Sequence, residues 1–436
     1  MKRAQVIGLL LAILAASPVN AADLVLTHAR VYPSPEAAPL EDATVVLHDG
    51  RIASVLQSNS NPGVAASNSA QVLDCTGMSI TAGLWNSHVH ILPVQLLHAD
   101  EKTGAELTRA LQAMLTRWGF TTVFDVASIL ANTNNIRTRI AAGEILGPRI
   151  LTTGEPFFPA HGVPSYVKGY LEHNRITLPD DPTTAAAVQR VRRQVHDGAD
   201  GIKIFAGSIE GDDVLLMPLE RAQAIVAEAH HLNRLVFAHP SNLAGIQIAL
   251  DSGVDVLAHV TSDDRAWSAA LVDSMRAANM ALIPTLSLFD VEEKKAGASP
   301  ENEQKVVDRA VARLHAYAAA GGDILFGTDV GYIYQFDTTQ EYTLMQSAGM
   351  NFPQILASLT TSPARRFGVA DHSGRVAERM DADLTVLTGD PATDITAFAH
   401  VRYTIRAGKI IFQALSRSGL RSSPGRRMRS PDKQQP

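Results

Sequence analysis

Short apolar runs alternate with longer amphipathic stretches between residues 81 and 370, and this alternation is the main pattern of the chain. Repeated strand–helix units favour a parallel sheet with right-handed crossovers. Eight apolar runs are predicted as strands, the first ending at His90 and the others covering 121–126, 149–153, 201–205, 235–239, 254–259, 281–286 and 323–329. Eight such units in about 250 residues predict an α/β fold with a TIM-type (β/α)8 barrel over 81–370.

The segments on either side of the barrel show strand patterns instead. Residues 22–80 contain β-branched runs and a hairpin signal at Asp49-Gly50, and strand signals return in 371–415 around the turn at Ala407-Gly408. Because an isolated two-stranded ribbon is marginal in water, the C-terminal strands are expected to pair with the N-terminal ones. The flanks are therefore predicted to form the two halves of one small composite β-sandwich.

The two ends of the chain have their own patterns. Lys2 and Arg3 precede an apolar run over 6–16, and small residues follow that suit cleavage after Ala21. This pattern is typical of a signal peptide over 1–21, which is too short to span a membrane. We therefore expect a periplasmic or secreted protein. Residues 416–436 are rich in Ser, Arg, Pro and Gln, which predicts a disordered tail.

Composition excludes several kinds of partner. The net charge is −6 and the body of the chain shows no long basic face, so nucleic acid is not an expected partner. No stable membrane insertion is expected either, since the leader is the only candidate segment. Cys75 is the single cysteine, so disulfides cannot stabilise the fold. Stability is expected to come from the core and from any bound metal.

Polar side chains able to bind metal stand at the ends of the predicted strands. His88 and His90 point the same way because successive side chains of a strand alternate faces, and neutral imidazole is the commonest metal ligand. Lys203, His239, His259 and Asp329 end the fourth, fifth, sixth and eighth strands, at intervals from His90 onward of 113, 36, 20 and 70 residues. These intervals correspond to about three, one, one and two strand–helix units, which agrees with the strand pattern.

Six segments share a recognisable pattern: Gly83-Leu84-Trp85-Asn86-Ser87-His88-Val89-His90, Gly198-Ala199-Asp200-Gly201-Ile202-Lys203-Ile204-Phe205, Phe237-Ala238-His239, Leu257-Ala258-His259-Val260-Thr261, Gly327-Thr328-Asp329 and Asp381-Ala382-Asp383-Leu384-Thr385-Val386-Leu387. Together they resemble the amidohydrolase superfamily, and more closely its imidazolonepropionase-like and prolidase-like branch. Two positions depart from that pattern: Asn86 stands where many relatives carry Asp, and Glu378-Arg379-Met380 replaces a Gly-containing turn. Neither departure removes a predicted ligand.

The resemblance implies a site for two metal ions, usually zinc. His88, His90 and Asp329 would hold one ion, and His239 and His259 the other. Lys203 would bridge both ions as its carbamate, because an ammonium group cannot ligate a cation. A site with one metal beside an unmodified lysine stays open, since some relatives bind a single ion.

The reaction expected from such a site is hydrolysis of an amide bond by a metal-bridging hydroxide, with Asp329 moving the proton to the leaving nitrogen. The expected substrate is a small molecule, either a dipeptide such as Xaa-Pro or an N-acyl amino acid. One alternative is a mononuclear hydrolase of a cyclic amide, an imidazolone or a lactam. An alternative of another class is a non-catalytic metal-binding barrel.

Substrate contacts are expected on the loops that follow the strands. His161, after the third strand, is predicted to contact the substrate or its oxyanion, with a structural role as the alternative. Tyr166, Tyr332 and Tyr334 are candidates for binding a substrate carboxylate. By analogy with relatives that form rings or octamers, a homo-oligomer is also expected.

Overall fold

The computed structural model describes residues 24–57, 70–179, 181–211, 213–261 and 263–415. The predicted signal peptide and the predicted C-terminal tail lie outside these residues. Within the described part of the chain, no helix is both long and apolar enough to cross a membrane.

The described residues contain seventeen β-strands, and they fall into four sheets. The strands are β1 Leu24–Val31, β2 Leu40–His48, β3 Arg51–Gln57, β4 Gln71–Asp74, β5 Ser79–Ala82, β6 Leu84–Val89, β7 Phe120–Asp125, β8 Arg149–Thr152, β9 Gly201–Phe205, β10 Gly207–Glu210, β11 Asp213–Leu216, β12 Leu235–His239, β13 Val256–Ala258, β14 Ala281–Ile283, β15 Leu384–Leu387, β16 Val401–Arg406 and β17 Lys409–Gln413.

The largest sheet joins the two ends of the described chain. Its strands run in the order β17-β16-β15-β5-β1-β2-β3, and β4 also pairs with β1. The junction is the antiparallel pair β5–β15, in which Ile80 lies opposite Val386. Both side chains are fully buried in one apolar cluster with Leu26, Val45 and Ile405. N-terminal and C-terminal residues therefore share a single hydrophobic core.

The central strands form two parallel sheets, β6-β7-β8 and β9-β12-β13-β14. Isolated parallel bridges extend this order: Phe157 pairs with Ile204 between the two sheets, and an extended segment pairs through Ile324 and Val330. The predicted strand at 323–329 is wrong as a regular strand, since isolated bridges and single backbone hydrogen bonds, such as that from Ser87 N–H to the carbonyl oxygen of Phe326, hold it. The backbone at Asp329 takes a left-handed φ of 61°, which interrupts extended pairing.

Twelve α-helices lie in the described residues, mostly between the central strands. Six of them begin at a Ser, Thr or Asn side chain that accepts a backbone N–H of the first turn, as good N-caps do. The helices are α1 Gly104–Met114, α2 Leu130–Ala141, α3 Ser165–His173, α4 Thr184–His196, α5 Leu219–His231, α6 Leu243–Ser252, α7 Ala269–Ala277, α8 Leu286–Ala296, α9 Pro300–Ala319, α10 Thr339–Ser347, α11 Phe352–Leu359 and α12 Thr361–Arg366.

The space between the central strands is filled with apolar side chains. Phe124 and Phe237, from β7 and β12, pack with ring centroids 4.6 Å apart, and Phe367 covers them from the end of α12. Val256, Ile283 and Leu325 belong to the same buried cluster. This apolar packing lies below the carboxyl ends of the strands, which remain accessible. Barrel enzymes place their catalytic residues at these ends.

Candidate metal centre

Five of the six predicted ligands contact one another at the carboxyl ends of the central strands. The imidazole ring centroids of His88 and His90 are 5.2 Å apart, those of His88 and His259 are 4.5 Å apart, and those of His239 and His259 are 4.8 Å apart. Asp329 Oδ1 lies 2.7 Å from His90 Nε2 and 3.2 Å from His88 Nε2. These separations suit side chains that share bound cations.

Lys203, the sixth predicted ligand, lies on β9 beside the same histidines. Its side chain lines one cavity together with His90, His239, His259 and Asp329. Only 2 % of Lys203 is exposed, and among the described residues its Nζ makes no hydrogen bond or ion pair. We refer to these six residues as the candidate centre.

The backbone is strained where the chain enters the candidate centre. His259, Thr285 and Asp329 have left-handed φ angles of 84°, 46° and 61°. Non-glycine residues hold such angles at a cost of roughly 1–3 kcal/mol each, and they cluster at functional sites. Gly331 follows with φ 105°, and a Cβ there would lie 1.9 Å from the carbonyl oxygen of His90. The turn after Asp329 therefore requires glycine.

The protonation of His90 is determined by a backbone carbonyl. His90 Nδ1 lies 2.9 Å from the carbonyl oxygen of Ala127, an acceptor, so Nδ1 carries the proton. In the neutral ring, Nε2 then presents a lone pair to Asp329 Oδ1, 2.7 Å away. Two electron-rich atoms at this distance require a proton or a cation between them.

His88 gives a second reason to expect a cation. The residue is 0 % exposed, and neither ring nitrogen has a well-directed hydrogen-bond partner among the described residues. Buried polar atoms without partners are uncommon, because each costs about 1–3 kcal/mol. A metal ion bound to Nε2, the nitrogen that faces Asp329, would satisfy that atom.

His259 is oriented by the hydroxyl group of Thr285. His259 Nδ1 lies 2.7 Å from Thr285 Oγ1, and that hydroxyl donates its own proton to the carbonyl oxygen of Pro284 at 2.9 Å. Thr285 must therefore accept the Nδ1 proton, which leaves His259 Nε2 free as a ligand. Partners of this kind on the far nitrogen are typical of metal-bound histidines.

The charges of the candidate centre favour cation binding. Burial lowers the pKa of His88 and of His239 to about 3, so both rings are neutral at pH 7. Burial alone would raise the pKa of Asp329, but the nearby rings of His259 and His88 outweigh it and hold that pKa well below its usual range. Burial also lowers the pKa of the Lys203 amine to about 7. Neutral imidazoles, an ionised carboxylate and a readily deprotonated lysine match the donors that divalent metals use.

A cavity of about 340 Å³ opens beside the candidate centre. Tyr166 and Tyr332 line it, with ring centroids 5.3 Å apart. His161 lies on the exposed surface after β8 and does not line this cavity, and the Tyr334 side chain is 58 % exposed. Two of the four predicted substrate contacts thus border the cavity, and two lie outside its wall.

The ordered strand ends, the buried ring cluster and the adjacent cavity define an α/β protein with a candidate metal site beside a pocket. The profile of the amidohydrolase family matches residues 79–411, and the chain belongs to this family.

Known proteins of similar sequence and structure include hydrolases of amide bonds. The ochratoxinase of Aspergillus niger is 25 % identical over 372 residues, which cover 75 % of this chain and 74 % of that protein. A candidate prolidase from Bifidobacterium longum is 27 % identical with a TM-score of 0.75, covering 90 % of this chain and 95 % of that one. A Xaa-Pro dipeptidase with bound methionine is 21 % identical with a TM-score of 0.74, covering 90 % and 100 %. The last of these supports the fold alone.

Several residues around the centre were not predicted from the sequence. Thr285 and Ala127 orient two of the histidines, and Tyr170, on α3, donates from its hydroxyl to the carbonyl oxygen of Leu92 at 2.5 Å. A hydroxyl or carbonyl group that orients a metal-binding side chain stands at no fixed distance from it in the sequence, so a single sequence does not reveal it. The one available signal was Pro284-Thr285 directly after an apolar strand, where a turn is expected.

Proposed function

We propose that this protein is a secreted hydrolase that uses two metal ions to cleave an amide bond, and that the metal is zinc. The observation that carries the proposal is the cluster of four imidazoles around the ionised carboxylate of Asp329, in which His90 and His259 are oriented through their far nitrogens. Imidazole rings with their far nitrogens engaged by carbonyl or hydroxyl groups are suited to hold divalent cations. Membership of the amidohydrolase family supports the same reaction class.

The same proposal covers the architecture. Three isolated bridges connect these parts one after another. Phe157–Ile204 links the two central sheets, Leu282–Ile324 links β14 to the extended segment, and Val89–Val330 links the end of that segment back to β6. We propose that they close a (β/α)8 barrel over 81–370, flanked by 22–80 and 371–415. The pattern at 1–21 supports export to the periplasm or beyond.

In this proposal His88, His90 and Asp329 would hold one ion, His239 and His259 would hold the other, and Lys203, as its carbamate, would serve as a ligand to both. When bound, the ions lower the pKa of a shared water and polarise the scissile carbonyl. Asp329 remains ionised at neutral pH, so its carboxylate can accept the proton of the attacking water. The same carboxyl group then donates that proton to the departing amide nitrogen.

A second candidate is a hydrolase with one metal ion acting on a cyclic amide. The observation that favours it is the compact group His88, His90 and Asp329, whose possible ligand atoms all lie within 4.8 Å of one another. Under this candidate, Lys203 stays an unmodified amine beside a mononuclear site.

Metal analysis with a variant of Lys203 separates the two candidates. The protein is stripped with a chelator, reloaded with zinc, and assayed on dipeptides, N-acyl amino acids and their amides. The proposal predicts two zinc ions per chain, loss of activity on stripping, and loss of one ion together with activity in Lys203→Ala. Full activity with one equivalent would favour the mononuclear candidate. Lys168→Ala, on α3, is the control and is expected to keep both ions.

A further inference from the structure

The cavity beside the candidate centre has apolar walls made by two helices. On α3, Tyr166, Val167 and Leu171 face the cavity, and on α8 Leu288 and Phe289 do so. No residue of α3 is fully buried, so its apolar face borders the cavity and not the packed core. Apolar pockets of this size bury ligands of matching apolar shape. The substrate is therefore expected to carry a bulky apolar group.

The charged side chains of the wall are all acidic. Apart from the candidate centre, the charged groups that line the cavity are the carboxylates of Glu155, Glu292 and Glu293. Among the described residues that line it, no arginine is present, and Lys203 of the candidate centre is the one lysine. A substrate carboxylate would thus meet neither a guanidinium group nor a free ammonium group on the wall.

Two cationic side chains beside the wall already have partners. Lys295 Nζ, beside the Tyr332 ring, lies 3.4 Å from Glu292 Oε1, and the lysine side chain is 62 % exposed. Lys168, on α3, pairs with Glu210 at 2.8 Å. Glu293, by contrast, makes no ion pair within the described residues. The wall itself therefore offers a substrate carboxylate no unpaired basic side chain.

Burying a carboxylate without a partner is costly, and nearby carboxylates add repulsion. We infer that the substrate is an amide with a bulky apolar group and without a free carboxylate. This inference rests on the proposed hydrolase function and narrows it. It replaces the sequence-based expectation of a dipeptide or N-acyl amino acid whose carboxylate is bound by Tyr166 and Tyr332.

A matched substrate pair tests the inference on the zinc-loaded full chain. N-benzoyl-phenylalaninamide and N-benzoyl-phenylalanine share the same benzoyl–nitrogen bond and differ in one terminal group, a carboxamide against a carboxylate. Release of benzoate, followed by chromatography, reports cleavage of that bond alone. The inference predicts that kcat/KM for the carboxamide is at least about tenfold higher. An equal or higher value for the carboxylate overturns it while leaving the hydrolase function intact.

A charge reversal on the cavity wall is a second test of the inference. Glu293→Arg is expected to raise kcat/KM for the carboxylate and to reduce the ratio between the two substrates severalfold. Glu301→Arg, at an exposed position of α9 that does not line the cavity, changes the net charge equally and should leave the ratio unchanged. An unchanged ratio in Glu293→Arg contradicts the inference.

Failure of the hydrolase function itself has a different signature. If the zinc-loaded protein releases benzoate from neither compound and cleaves no other amide, the proposed function is wrong. Calorimetric titration of the same two compounds then decides the inference, which requires tighter binding of the carboxamide. Equal or tighter binding of the carboxylate contradicts it.

Discussion

The candidate centre and the cavity wall lie side by side, yet they are built in opposite ways. At the centre, polar groups are held by strand ends, by left-handed turns at His259 and Asp329, and by fixed hydrogen bonds such as that to Thr285. The wall comes from α3 and α8, whose apolar side chains border open space. The centre is arranged to hold charge at fixed positions, and the wall is arranged to take up apolar groups.

This difference suggests that the two regions control different properties: the centre controls the reaction, and the wall controls the choice of substrate. Substitutions at the centre should change catalysis and metal content with little effect on which amide is preferred. Substitutions at the wall should change preference and KM while the metal content stays the same.

The largest effect is expected for Asp329→Asn. An amide cannot accept the proton of the attacking water, so kcat should fall about a thousandfold, within the range for loss of a general acid–base. Steady-state kinetics with the zinc-loaded variant measures this. Asp337→Asn, on the segment before α10, is a suitable control and should keep wild-type kcat. A loss of less than tenfold in Asp329→Asn would mean that another group moves the proton.

A smaller effect is expected for Thr285→Val, which removes the hydroxyl that accepts the His259 Nδ1 proton. The ring can then change tautomer or turn, and metal affinity should fall roughly 10- to 100-fold, as for other supporting partners of metal ligands. Competition with a chromogenic chelator gives the affinity. Thr343→Val removes an exposed hydroxyl on α10 and should leave affinity unchanged.

Acid should destabilise the metal-free protein through the histidines of the centre. In the folded state the pKa values of His88 and His239 are about 3, against 6.5 for the ordinary side chain. Between these values the unfolded chain binds more protons, so the free energy of unfolding falls as pH drops below 6.5. The expected slope is about 1.4 kcal/mol per pH unit for each histidine.

Urea unfolding at several pH values between 4 and 7, with a chelator present, measures this slope. His239→Asn should make it shallower, whereas His231→Asn, at the exposed end of α5, should not. A slope that is the same in both variants and in the parent would show that these rings do not control acid stability.

The smallest effect is expected at the wall. Leu171→Ala removes half-buried apolar surface from α3, and at about 25 cal/mol per Å² the loss of contact should raise KM roughly threefold to tenfold for a bulky apolar amide. Metal content and kcat should stay close to those of the parent. A drop in zinc content would show that wall and centre are coupled after all.

The centre was more predictable from the sequence than the wall, for a physical reason. Metal ligands at strand ends follow a period of two and a spacing set by the strand–helix unit, so His88, His90 and Asp329 stand out in a single sequence. The helix α3 is only nine residues long and begins after Pro164, and its apolar face borders a cavity. Short elements of this kind leave no periodic signal that distinguishes them from a loop.

Two other features were missed for different reasons. The hairpin β10–β11 follows β9 after a single residue, and the pair Gly211-Asp212 between its strands is a hairpin signal that our prediction did not use. The extended segment at 323–329 has an apolar pattern typical of a strand, but it forms isolated bridges instead of a regular strand and ends in the left-handed turn at Asp329. In this segment the position of the site, more than local propensity, determines the backbone.

Anomalous X-ray scattering at the zinc edge, from crystals of the zinc-loaded protein, tests the central claim most directly. The account predicts two peaks, one bounded by His88, His90 and Asp329 and one bounded by His239 and His259, with density for a modified Lys203 side chain between them. A single peak, or peaks away from these six side chains, would contradict the account.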